Sequence, residues 1–125
     1  MTMFKKIDAL PLLVEQAYVD GQWVEAADGS TLEVTNPACG NRIGRVPNMG
    51  ARETSLAIKA ANCAFPGRRA KTAAERARIL QRWKELILIN QVDLALLITS
   101  EQGKPLHESC AEISFAASLV EWFAE

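Results

Sequence analysis

The chain has no glycine-rich phosphate cradle: neither G-x-G-x-x-G nor G-K-S/T occurs, which removes the common nucleotide-binding loops. Cysteine is scarce, with three residues at positions 39, 63 and 110 and no C-x-x-C pair. An odd count at wide spacing argues against a disulfide framework or a zinc site and fits a reducing cytoplasm. Histidine occurs once, as His107. No apolar run is long enough to span a bilayer. The run Ala9 to Val14 that follows Lys5 and Lys6 is short, broken by Pro11 and followed by Glu15, so no signal peptide is expected. Neither sign of charge dominates: 14 Lys and Arg stand against 15 Asp and Glu, a net charge of −1. No global field therefore draws the chain to nucleic acid or to a membrane. Repeats, low-complexity tracts and long linkers are also missing. What is present is ordinary globular material, 49% apolar and 23% charged over 125 residues. That is too hydrophobic for disorder and long enough for one domain or less.

Residues 1–16 read as a loosely attached arm. From 17 to 47 the pattern predicts a small antiparallel β meander. Tyr18-Val19 and Trp23-Val24 flank Asp20-Gly21, a pair suited to a two-residue turn in which both positions need positive φ. Asp28-Gly29 is a second turn, Thr31 to Thr35 a strand closed by Asn36-Pro37, Cys39-Gly40-Asn41 a third turn, and Arg42 to Val46 a fourth β-prone run. About four helices follow. The first, alanine-rich, runs from Glu53 to Phe65 and is expected to stop at Pro66-Gly67. Thr72 to Glu75 has capping-box spacing and opens a second helix to about Asn90. Its apolar stripe is Ile79, Leu80, Trp83, Leu86 and Ile87, opposite Arg78, Arg82 and Glu85. Asn90 to Asp93 caps a third helix, whose apolar run Leu94 to Ile98 predicts burial on most sides. Gly103 suits its C-terminal stop and Pro105 the first turn of the last helix. That helix has one stripe of Leu106, Cys110, Ile113, Ala117 and Val120 and a second of Phe115, Leu119, Trp122 and Phe123. A helix apolar around most of its circumference needs cover on several sides, more than the three preceding helices supply, and the sequence ends without a cap.

No group of residues composes an active site. Cys63 and Cys110 read as small core residues, and Cys39 as the most exposed thiol. His107 is three positions before Cys110, a spacing that permits contact, but a Cys–His dyad also needs a pocket and an oxyanion site. Glu108 with Glu112, and Glu121 with Glu125, are one helical turn apart and could share a proton or a metal if buried; a solvated edge is the plainer account. The basic residues Arg68, Arg69, Lys71, Arg76, Arg78, Arg82 and Lys84 read as a solvated helix face, because Trp83 belongs to the apolar stripe and is not free to stack on bases. Lys104 precedes Pro105 and lacks a glycine cradle, so it reads as part of a cap and turn.

Five segments carry a resemblance: Y-V-D-G-Q-W-V at 18–24, V-T-N-P-A-C-G at 34–40, R-A-K-T-A-A-E-R-A-R-I-L at 69–80, E-Q-G-K-P-L at 101–106 and E-W-F-A-E at 121–125. In order and spacing they resemble the N-terminal portion of the aldehyde dehydrogenase superfamily, most closely its succinate-semialdehyde dehydrogenase branch, over about residues 16–125. The resemblance implies an incomplete α/β aldehyde-dehydrogenase-like fold, the part that precedes the cofactor motifs and catalytic region. It implies an enzyme that oxidises a small aldehyde to its acid with NAD or NADP, using a cysteine nucleophile and a glutamate that activates water. The motifs carrying those groups are not in this sequence, so no catalytic, cofactor-binding or metal residue is carried over. The chain alone is expected to be inactive and to bind no cofactor. Family members often hold a structural monovalent cation near positions corresponding to Val34, Thr35 and Glu101. Arg68 stands where the family usually has tryptophan, and Gly67 and Cys39 also depart from its pattern. An arginine in place of a buried indole would lose apolar contact and bury a charge.

Expected partners are an aldehyde for the full-length family and neither nucleic acid nor membrane, with self-association or docking on an intact dehydrogenase as protein contacts. The alternative to an enzyme fragment is a truncated paralogue that acts as a non-catalytic interaction module. The exposed apolar sides of the last helix motivate it.

Overall fold

The computed structural model describes residues 11–125. Most of the arm expected over residues 1–16 lies outside the described residues. Near its end the Glu15 carboxylate accepts a hydrogen bond from the Arg45 amide at 2.9 Å. The described chain divides into two compact units, residues 11–35 with Asn41–Ala70, and Asn36–Gly40 with Lys71–Glu125.

In the first unit, β1 (Ala17–Val19) pairs antiparallel with β2 (Gln22–Val24), with Val19 opposite Gln22. The two-residue connection has φ of +52° at Asp20 and +78° at Gly21, the conformation that Asp-Gly favours. Tyr18 and Trp23 sit opposite each other, ring centroids 5.1 Å apart. Then β3 (Thr31–Thr35) pairs antiparallel with β4 (Arg42–Pro47), with an irregularity between Val34 and Thr35. The strands thus form two separate two-stranded ladders and not one continuous meander. The Ala26–Gly29 turn lies between them. The Gly29 amide closes on the Ala26 carbonyl at 2.9 Å, and the Asp28 carboxylate accepts from the Ser30 amide at 2.8 Å. Those bonds fix the turn between the two ladders.

Helix α1 (Ala51–Arg69) completes this unit. It starts two residues before the expected Glu53, because the Glu53 carboxylate accepts from the Gly50 amide at 3.1 Å and anchors the first turn. It also runs through Pro66, where the sequence predicts a stop. Proline costs one donor, but the chain stays helical and Ala70 donates to the Pro66 carbonyl at 3.0 Å. The loss falls in the last turn, where Arg68 and Arg69 complement the helix dipole.

The second unit holds α2 (Ala73–Ile89), α3 (Gln91–Gln102) and α4 (Leu106–Trp122). Thr72 and Glu75 form the expected capping box: the Glu75 amide donates to Thr72 Oγ1 at 3.3 Å, and the Thr72 amide to Glu75 Oε2 at 2.7 Å. Asn90 joins α2 to α3 at the expected place, although its side chain donates back to the Leu86 carbonyl at 2.8 Å instead of capping α3. Gly103 ends α3 at φ +74°, its amide on the Thr99 carbonyl at 2.9 Å. Pro105 is the N-cap of α4, one residue before the first turn.

Helix α4 packs on both α2 and α3. Ala95, Leu96, Ile113, Ala117 and Ala124 are buried there. Small residues let α3 and α4 approach: Ser100 and Ser109 are fully buried, and both hydroxyls are satisfied, Ser100 on the Leu96 carbonyl at 2.7 Å and Ser109 on Thr99 at 2.9 Å. The expected burial of Leu94 to Ile98 holds, each being buried or half-buried. On α4 the first stripe turns inward except at its Leu106 end, and the second is exposed: Phe115, Leu119, Trp122 and Phe123. On α2 the apolar stripe is largely open: Trp83 is 55% exposed, Ile79 and Leu86 are exposed beside it, and of the stripe only Leu80 and Ile87 are half-buried. The sequence period locates a stripe; it does not say whether a partner covers it.

Candidate functional site

The candidate nucleophiles do not assemble. Cys39 is exposed as expected. Cys63, expected in the core, is exposed on α1, and Cys110 is half-buried on α4. The α1 helix has no buried residue, so its alanine-rich face encloses nothing around Cys63. His107 projects into solvent, with Nε2 4.0 Å from Glu108 Oε1. No hydrogen bond links it to Cys110 among the described residues. The dyad that the i, i+3 spacing permits is therefore not formed, and among the described residues no thiol is hydrogen-bonded to a general base.

One carboxylate of each pair has a lysine partner. Glu112 pairs with Lys104, and Glu121 with Lys84. These bonds tie the start of α4 to the turn before it, and its end to α2. The sequence predicts none of them, because their partners are separated by a turn or a whole helix. Lys104 thereby has a structural partner at the turn. Among the described residues no group of three or more His, Cys, Asp or Glu could hold a metal ion. The positions that the resemblance ties to a cation divide between the units, Val34 and Thr35 in the first and Glu101 in the second.

Of the basic residues, Arg82 pairs with Glu85 at 2.9 Å and Lys84 with Glu121. Although exposed, Trp83 shares its helical row with Ile79 and Leu86 and not with Arg78 and Arg82. Arg68 is exposed, so the charge burial expected from an arginine at that position does not occur.

Two glutamates have lowered pKa values. Glu53 is held below the ordinary range by hydrogen bonds from its own amide first, then from the amides of Ala27 and Gly50. Its contact with Ala27, 3.2 Å over 26 residues, ties α1 to the segment after β2, and no sequence signal announces it. Glu75 is lowered by the Thr72 hydroxyl first and then by the Thr72 amide. Both are capping carboxylates.

A hollow of about 490 Å³ opens between the β1–β2 hairpin and α1, walled by Ala17, Val19, Val24, Met49, Leu56 and Ala57. Glu25, Glu53 and Thr54 supply its polar groups. It contains neither a thiol nor an imidazole. Nor do the helix N-termini offer a dinucleotide site: the first turns of α1, α2, α3 and α4 carry Glu53, Glu75, Asp93 and Glu108. A carboxylate in each first turn opposes a pyrophosphate there. The four N-termini therefore do not suit the pyrophosphate of NAD or NADP.

Residues 23–125 match the model of the aldehyde dehydrogenase family. The chain belongs to the aldehyde dehydrogenase family. It is 56% identical, over 114 residues, to glutarate-semialdehyde dehydrogenase of Pseudomonas putida, covering 91% of this chain and 24% of that protein. It is 53% identical, over 120 residues, to the NADP(+) succinate-semialdehyde dehydrogenase of Escherichia coli, covering 96% of this chain and 25% of that one. Among solved structures, succinate-semialdehyde dehydrogenase from Burkholderia pseudomallei superimposes with a TM-score of 0.88 at 55% identity, over 90% of this chain and 23% of that chain. The two hairpins and four helices are thus part of an aldehyde dehydrogenase fold. The chain spans about a quarter of the length of the relatives it matches.

Proposed function

We propose that this chain forms the N-terminal part of an NAD(P)-dependent dehydrogenase that oxidises a small aldehyde bearing an acid group at its far end, with succinate semialdehyde or glutarate semialdehyde as substrate. The carrying observation is identity above one half, over nearly the whole chain, to dehydrogenases of those two semialdehydes. On this reading residues 11–125 supply packing surface: helices and hairpins that support a catalytic region made of other residues. The reaction needs a thiolate, a base and a cofactor cradle. Among the described residues Cys39, Cys63 and Cys110 have no base hydrogen-bonded to them, and the four helix N-termini carry acids. The chain alone is therefore inactive and binds neither NAD nor NADP. The test is to incubate the purified chain with succinic or glutaric semialdehyde and NAD+ or NADP+ and to follow nicotinamide reduction. No reduction above the protein-free blank is expected, and enzymatic reduction would overturn the proposal.

A second reading, a non-catalytic module docking on an intact dehydrogenase, draws on the exposed stripe of α4. It requires the tagged chain to retain an intact semialdehyde dehydrogenase in a pull-down. We place the protein in the cytoplasm, in keeping with three free cysteines, a state that a reducing compartment preserves.

A further inference from the structure

We draw no further inference here: the strongest candidate, the exposed apolar face of α4 formed by Phe115, Leu119, Trp122 and Phe123, carries nothing beyond the readings above because nothing in the structure shows what covers it.

Discussion

Leu96→Ala tests the helical unit at its centre. Leu96 is 6% exposed and lies beside Ala95, at 0%, on α3. Removing three carbons forfeits about 2.4 kcal/mol of transfer free energy, at about 0.8 kcal/mol per methylene. The buried neighbours Ala95 and Ser100 are short and cannot move in to refill the space, so a cavity term adds to the loss. A total of about 3–4 kcal/mol follows, within the range for buried leucine truncations. Domain stabilities run at about 5–15 kcal/mol, and the few large side chains buried here put this chain toward the lower end. The substitution therefore removes more than half of what holds the unit folded. The assay is urea unfolding followed by far-ultraviolet circular dichroism. With a slope of about 2 kcal/mol per molar, the midpoint falls by about 1.5 M. Ile89→Ala, at a residue 74% exposed at the end of α2, is the control and shifts stability by about 0.5 kcal/mol or less. If Leu96→Ala moves the midpoint no further than Ile89→Ala, the α3–α4 packing described above is wrong.

Thr72→Ala breaks the capping box of α2 and costs about 1 kcal/mol, whereas Thr72→Ser keeps most of it; equal midpoints for all three chains would contradict the assignment. Gly103→Ala puts a Cβ at φ +74° and 3.2 Å from Pro37 Cγ, a loss of about 1–2 kcal/mol, and a stabilised or unchanged thermal midpoint would show that the α3 terminus does not adopt this form. Folding lowers the pKa of Glu53 and Glu75, so the folded chain binds fewer protons than the unfolded one. The stabilisation they give is complete above the unfolded value near about pH 4 and is lost as pH falls through the lower folded values. Urea midpoints against pH should therefore drop on the acid side, with a shallower drop in Glu75→Gln; an identical acid limb in that variant would refute the role given to Glu75.

The features legible in the sequence are those fixed by a few adjacent residues. Asp20-Gly21, the Thr72–Glu75 box and the Gly103 stop are each decided by local backbone chemistry, and each stands where the pattern puts it. The failures lie where an outcome depends on distant partners. Apolar spacing places Trp83 and Cys63 on faces but does not reveal whether anything packs there. Pro66 reads as a terminator because its cost is local, while the continuation of α1 draws on the turns before it. The separation of the two hairpins is a matter of which strands pair, and alternation along the chain does not specify that. For the site, the letters allowed a Cys110–His107 contact and two carboxylate pairs. His107 instead points to solvent, and Glu112 and Glu121 pair with Lys104 and Lys84. The family resemblance was legible because it rests on five ordered segments, none of which needs a tertiary contact to be read.

The most direct test replaces the matched quarter of the Escherichia coli relative with this chain and measures NADP+ reduction with succinic semialdehyde. If these residues provide a supporting layer of an aldehyde dehydrogenase, the chimera is soluble and reduces NADP+ at a rate comparable with the parent enzyme. An insoluble chimera, or a folded one without activity, would contradict the claim.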